Sequence, residues 1–226
     1  RAGVVHTDDV FAPLFGQLRA DGVLDGTVVV VLSDHGEEFR EHGRWQHEQL
    51  FEECLRVPLM VRLPGAVGAG VRVATPVSLL DVLPTLVELL GVEREATVPM
   101  QGHSLVETLL TGVEPPARPL VSELRTDRRF PDGAAGPLRE WRLAIHHLGS
   151  KLIYDEYGSD ASQGVERYRL FDLAADPGET VDLVQGGART ALDGEAETAR
   201  RGLLAARERV QRELAVFAGL ASGDGG

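Results

Sequence analysis

The apolar run at 27–32, TVVVVL, is β-branched and lacks polar alternation. Asp25-Gly26 precedes it and Ser33-Asp34-His35-Gly36 closes it. Such a run predicts a strand covered on both faces, as in a parallel sheet. The stretch 55–63, LRVPLMVRL, predicts a second strand of the same kind, closed by Pro64-Gly65. Upstream, Val10, Leu14, Phe15 and Leu18 recur at helical spacing and predict an amphipathic helix over 9–20, with Pro13 in its first turn and Asp21-Gly22 at its end. A second helix is predicted over 78–90. Ser78 and Asp81 resemble a capping box with Asp in the usual Glu or Gln place, Pro84 marks a kink or a late start, and Gly91 suits the position just past the end. Gln101-Gly102-His103-Ser104 leads into a short helix ending near Leu110.

The pattern changes after the proline-rich stretch 112–119. Short strand candidates follow at 119–124, 141–147, 151–155 and 168–173, with no helical period between them, so antiparallel pairing is expected. Gly149 marks a hairpin turn and Asp176-Pro177-Gly178 another turn. A polar Gly/Ala linker at 185–195 precedes an amphipathic helix at 196–217, and 222–226 read as a disordered tail. Two divisions result, 1–115 with the α/β pattern and 116–226 with the antiparallel one.

Composition narrows the function classes. Of the 226 residues 43% are hydrophobic, enough for a sizeable core. The formal net charge of -12 disfavours nucleic acid or an anionic membrane surface as partner, because phosphates demand basic patches. It leaves an anionic substrate open, since a bound metal inverts the local field. Cys54 is the single cysteine, so no intrachain disulfide forms. No apolar run reaches the ~18 residues of a membrane span. No leader peptide is visible, and the chain opens on Arg1, which makes that absence uninformative.

Three of the 7 histidines, His35, His42 and His47, fall just after the first strand. Ligands of open α/β sheets sit beyond the carboxyl ends of strands, where Asp34 and His35 lie. Carboxylate and imidazole both bind divalent cations, and Gly36 lets the backbone turn sharply. The plainer reading is a solvated turn with a capping Asp. His47-Glu48 does not begin a zinc-protease H-E-x-x-H motif, because Phe51 stands where the second His belongs. A zinc site of His35, His42 and His47 matches no common spacing.

Several motifs in order carry a more specific resemblance. Ser33-Asp34-His35-Gly36-Glu37, then His47, Phe51-Glu52 and Arg56-Val57-Pro58-Leu59 resemble the sulfatase family of the alkaline phosphatase superfamily. So do the helix from Thr75-Pro76-Val77 through Asp81 to Pro84-Thr85-Leu86, Gly102-His103-Ser104-Leu105, Trp141-Arg142 with Lys151-Leu152-Ile153, and Leu170-Phe171-Asp172-Leu173 with Asp176-Pro177-Gly178-Glu179. The resemblance implies an α/β fold: the C-terminal part of an alkaline-phosphatase-like mixed sheet with flanking helices, plus a smaller C-terminal antiparallel sheet and a packed helix. It implies metal ligation by Asp34 and His35, usually of calcium. Because imidazole is a soft donor for calcium, manganese, magnesium and zinc stay open. It places His47 on a sulfate oxygen, where a protonated ring would assist the leaving group. His42 either contacts substrate or supports the loop. Glu52 and Arg56 are expected to pair, with Glu52 able to orient His47. His103, His146 and His147 receive no catalytic role.

The family's C/S-x-P-x-R nucleophile motif does not occur here, and Cys54 lies outside that context. The expectation is a C-terminal half whose partner is the missing N-terminal half of the catalytic domain. The fragment alone would be inactive, and the intact protein would hydrolyse a small-molecule or carbohydrate sulfate ester. The alternatives are a phosphonate monoester or phosphodiester hydrolase of the same superfamily, and a non-catalytic binding module with the same fold.

Overall fold

The structure is a computed structural model. It describes residues 2–65, 70–93, 100–128, 138–158 and 165–184, together with Arg201, Ala205 and Glu208. The chain divides into two compact units. The first comprises Arg1–Asp34 and Val57–Pro115, and the second His35–Arg56 and Pro116–Gly226. The segment carrying all three clustered histidines thus groups with the C-terminal sheet, and the chain passes between units at Asp34 and His35 and again at Arg56 and Val57.

In the first unit α1 spans Ala2–Ala20, seven residues earlier at its start than the apolar spacing indicates, so Pro13 is interior. Val10 and Leu14 of the expected stripe are exposed, while Phe15 and Leu18 are half-buried. β1 (Val29–Leu32) pairs with β4 (Leu59–Arg62), the labels following chain order with β2 and β3 below. Their pairing is antiparallel, with Val30 opposite Val61, where the unbroken apolar run suggested a parallel neighbour. Hydrophobic composition sets how much of a strand is buried, not the direction of its partner, and here Val31, Leu32 and Met60 are exposed. Val30, Leu59 and Val61 face Leu86, Leu89 and Leu105. Arg62 Nη1 donates to the carbonyls of Leu24 (2.6 Å) and Thr27 (3.0 Å), tying β4 to the turn before β1.

α3 (Val82–Leu89) follows a 3₁₀ turn, Leu79–Asp81. The capping box forms: Ser78 Oγ accepts from Leu80 N–H (3.2 Å) and Asp81 Oδ2 from Ser78 N–H (2.9 Å). Pro84 falls in the first α-helical turn, where it removes no intrahelical bond. Buried Asp81 also accepts from His103 N–H (2.8 Å), and Thr85 Oγ1 accepts from Leu105 N–H (2.9 Å). A Cβ on Gly102 would lie 1.9 Å from the Leu80 carbonyl oxygen, so only glycine permits this approach. Two of the sequence motifs therefore lock α3 to the segment leading into α4 (Val106–Thr111).

The second unit is built on a four-stranded antiparallel meander of β5 (Leu120–Arg128), β6 (Leu138–His147), β7 (Ser150–Gly158) and β8 (Val165–Asp172). All four expected strands are present and paired as expected. Leu148 (φ 49°) and Gly149 (φ 80°) form the two-residue turn between His147 and Ser150; positive φ at both positions matches strand twist. Period-2 alternation gives the sheet two different faces. Leu143, Ile145, Leu152, Tyr154 and Leu170 form an apolar cluster on one, joined by Leu183 and Val184. Ala144, Ile153 and Phe171 pack with Leu50 and Phe51 on the other, interleaved with buried Arg142, Lys151 and Asp155. The expected helix at 196–217 lies outside the described residues except for Arg201, Ala205 and Glu208, which are helical. The linker and tail also lie outside them.

Candidate functional site

The histidine-bearing segment is irregular. It contains the two-residue strands β2 (Glu38–Phe39) and β3 (Trp45–Gln46), paired antiparallel, and one helical turn, α2 (Glu52–Leu55). Segments with so few backbone pairs need side-chain partners, and four sets of contacts supply them. Buried Glu38 Oε1 accepts from the N–H groups of His42 (3.1 Å) and Arg44 (2.7 Å), closing the β2–β3 hairpin. Arg142 Nη1 donates to the Glu48 carbonyl (3.0 Å) and Gln49 Oε1 (3.1 Å). Fully buried Lys151 Nζ lies 3.1 Å from Glu52 Oε1 and 2.9 Å from Glu179 Oε1. Arg169 bonds Asp155 at 2.7 Å and sits 4.9 Å from the Phe51 ring centre.

Gly36 brings the two ends of the segment together. Its N–H donates to the Cys54 carbonyl at 2.7 Å. A Cβ there would fall 2.0 Å from the Glu53 carbonyl oxygen. This approach sets the direction in which His35 leaves the turn.

His35 and His47 stack with ring centres 3.8 Å apart and planes 25° apart. Both are exposed. His35 Nδ1 lies 2.9 Å from the Gly36 carbonyl. As a donor to that carbonyl, Nδ1 carries the hydrogen and the lone pair resides on Nε2, the arrangement that metal-ligating histidines adopt. Glu37 Oε2 lies 3.5 Å from His47 Nδ1. The ligand atoms of His35, Glu37 and His47 all lie within 4.8 Å of one another.

His42 points elsewhere. Its Nδ1 is 2.6 Å from Glu53 Oε1, its Nε2 is 3.2 Å from the Glu179 carbonyl, and its ring stacks on Phe51 at 3.5 Å. The structure therefore does not bring His35, His42 and His47 together as one zinc site. Glu52 reaches Lys151 rather than the Arg56 expected from the sequence, because a fully buried ammonium demands a carboxylate more than an exposed guanidinium does. The carboxylate beside His47 is Glu37, not Glu52. Asp34 is exposed at the end of β1. Cys54 is buried; burial first, then the Glu53 charge, raises its thiol to about 11, as befits an inert apolar thiol.

The residues missed from sequence are Glu37, Lys151 and Glu179. Lys151 had a readable signal: Lys151, Ile153 and Asp155 share one face of a strand, and charges on a face that also holds Ile153 need buried partners. Glu179 was legible only as a residue after a turn.

Residues 2–92 match the family model described as Sulfatase. The chain is 33% identical over 206 residues to the choline-sulfatase of Rhizobium meliloti, covering 91% of this chain and 36% of that protein. Over those residues the chain resembles the sulfatase family. Among solved structures, one in complex with its substrate D-glucosamine-2-N,6-O-disulfate superimposes with a TM-score of 0.69 at 27% identity, covering 92% of this chain and 39% of that one. The phosphonate monoester hydrolase of Agrobacterium radiobacter superimposes with a TM-score of 0.67 at 25% identity, covering 91% and 40%. The mixed α/β fold of this chain is thus the alkaline-phosphatase-like one. The chain spans little more than a third of the length of these relatives. Among the described residues no helix is long and apolar enough to cross a membrane.

Proposed function

We propose that this chain supplies the metal and sulfate-contact loop of a sulfuric ester hydrolase whose remaining residues lie in a longer protein. The observation that carries the reading is the stacked pair His35 and His47, a ligand-type imidazole face to face with a second imidazole. Asp34 and His35, neighbours in the chain, would hold a divalent cation, most simply calcium; because imidazole is a soft donor for calcium, manganese, magnesium and zinc are the alternatives. When bound, that cation supplies positive charge beside the sulfate oxygens. His47 contacts a sulfate oxygen and, as imidazolium, donates a proton to the departing ester oxygen. Glu37 faces its Nδ1 and orients the ring so that Nε2–H meets the ester. Both nitrogens of His42 are engaged, one by Glu53 and the other by the Glu179 carbonyl, so His42 supports the loop rather than the substrate.

The nucleophile lies outside this chain, which has no C/S-x-P-x-R motif. The 226 residues alone are then inactive. The substrate class is a small-molecule or carbohydrate sulfate ester, in line with the relatives' names. The test is turnover of an aryl sulfate and an aryl phosphate ester by the longer protein. Preferred sulfate turnover that falls about 10²-fold or more in Asp34→Ala and His47→Ala supports the reading. Preferred phosphate or phosphonate turnover instead assigns the phosphonate hydrolase activity, and full activity of Asp34→Ala sinks the metal role.

A second reading is favoured by the convergence of His35, Glu37 and His47. Two imidazoles and one carboxylate suit a transition metal, with His47 as a ligand rather than a substrate contact. Loss of zinc or manganese affinity in Glu37→Gln and His47→Ala, with Asp34→Ala unaffected, selects it.

A further inference from the structure

The turn from Asp176 to Val181 is more heavily bonded than a surface connection requires. Asp176 accepts from Thr180 Oγ1–H (3.0 Å), Val181 N–H (2.8 Å) and, through its carbonyl, Glu179 N–H (3.1 Å). Glu179 sits at φ 52°, a left-handed conformation that costs a non-glycine residue about 1–3 kcal/mol. Its side chain is nevertheless fully buried. Three of its atoms explain why the conformation persists. Oε2 accepts from Glu52 N–H at 2.6 Å, the first residue of α2. Oε1 lies 2.9 Å from Lys151 Nζ. The carbonyl oxygen lies 3.2 Å from His42 Nε2. One residue therefore grips the histidine segment at two points ten positions apart. From those points the contacts run through Glu53, bonded to His42, and Cys54, bonded to Gly36, to His35.

We propose that Glu179 is a positioning residue for the histidine segment: its buried carboxylate and its carbonyl, backed by Lys151, hold residues 42 and 52 so that Gly36 meets Cys54 and His35 stacks on His47. The functional weight of this role rests on the reading that the segment carries the metal and sulfate contacts. The geometry itself does not. Hydrogen-bond acceptance, not charge, is the element that positions. The ammonium of Lys151 permits a carboxylate to be buried, and a neutral acceptor with a neutral neighbour serves equally.

Two double variants of the 226-residue chain separate these ideas; both remove the Glu179–Lys151 charge pair and leave the same part-exposed Glu52 carboxylate without its ammonium, so that loss cancels between them. Lys151→Met with Glu179→Gln keeps an oxygen acceptor for Glu52 N–H. Lys151→Met with Glu179→Leu keeps the volume and removes the acceptor. The readout is the ring Cε1–H signals of His35 and His47 by NMR, assigned through single histidine substitutions, with the amides of Leu143, Ala144 and Ile145 reporting sheet integrity. The Gln variant is expected to keep the shielding of stacked rings and the Leu variant to lose it, the sheet amides staying put in both. Identical histidine signals in the two variants, stacked or unstacked, overturn the proposal. In the longer protein the Leu variant should turn over ester about 10- to 100-fold more slowly than the Gln variant, as for a catalytic group displaced by about an ångström. A lost stack with equal turnover refutes the site reading and leaves the positioning role standing.

Discussion

Gly36→Ala tests whether the close approach of the two ends of the histidine segment is required. A Cβ at this position would lie 2.0 Å from the Glu53 carbonyl oxygen, 3.0 Å from its carbon and 3.3 Å from Cys54 Cα, all backbone atoms. Contacts under 3.0 Å essentially do not occur, so the strands of the loop must part by at least 1.0 Å (3.0 − 2.0). No flexible side chain can absorb that movement. The parting lengthens the 2.7 Å bond from Gly36 N–H to Cys54 O beyond hydrogen-bond range. Losing one such bond costs about 1 kcal/mol, and overpacking costs about 1–3 kcal/mol, which together give about 2–4 kcal/mol. Urea unfolding followed by the fluorescence of Trp45 and Trp141, both in the second unit, should show this loss. Because the displacement acts on the residue after His35, the His35–His47 ring signals should also leave their stacked positions. In the longer protein ester turnover should fall about 10²-fold. An alanine variant with unchanged urea midpoint, ring signals and turnover would refute the claim that the Gly36–Glu53 approach builds the site.

Lys151→Met should destabilise the second unit by about 3–5 kcal/mol, since it leaves the Glu52 and Glu179 carboxylates facing each other without a cation; urea midpoints report this. Burial pushes the Glu179 carboxyl above the usual carboxylate range, with Lys151 acting in the opposite sense. A pKa raised on folding makes the associated stability complete below the unfolded value of 4.5 and lost as pH rises through the folded value. Unfolding midpoints of the parent minus those of Glu179→Gln should therefore decline from pH 4.5 upward, and a flat difference would show the group to be unperturbed. Cys54, raised from 9.0 to about 11, carries about 100-fold less thiolate at pH 8 than an ordinary thiol. Its reaction with a disulfide reagent should be slower by at least that factor until denaturant is added. His47→Lys in the longer protein should retain more ester turnover than His47→Ala, because an ammonium still places positive charge near a sulfate oxygen; equal loss in both would argue that imidazole acts as a ligand.

Much of the architecture was legible in the sequence because it follows from local rules. Short strand candidates with no helical period between them, and the turn at Gly149, pointed to the antiparallel meander; which of Leu143, Ala144 and Ile145 faces which side follows from strand geometry once the strand is placed. Ser78 with Asp81 predicted a helix start that the backbone N–H groups then confirmed. The partner direction of β1 was not legible, since an apolar run records burial and not which strand lies beside it. Nor was the start of α1, where helical bonds continue through residues with no apolar stripe and past Pro13.

The site divides along the same line. The motif residues Asp34, His35, His42 and His47 are neighbours in sequence, so their shared chemistry shows in the string of letters. Which histidines meet is a matter of tertiary contact. His35 and His47 stack, whereas His42 turns to Glu53 and the Glu179 carbonyl, a partner 137 positions away. The carboxylates that secure the segment to the sheet were hidden for the same reason. Glu179 and Lys151 are ordinary charged residues until folding removes water from both, and only a buried charge is obliged to find a specific partner. The sequence determined which groups the histidine segment offers; the packing of residues 35–56 on β6, β7 and the turn after β8 decided how they are held.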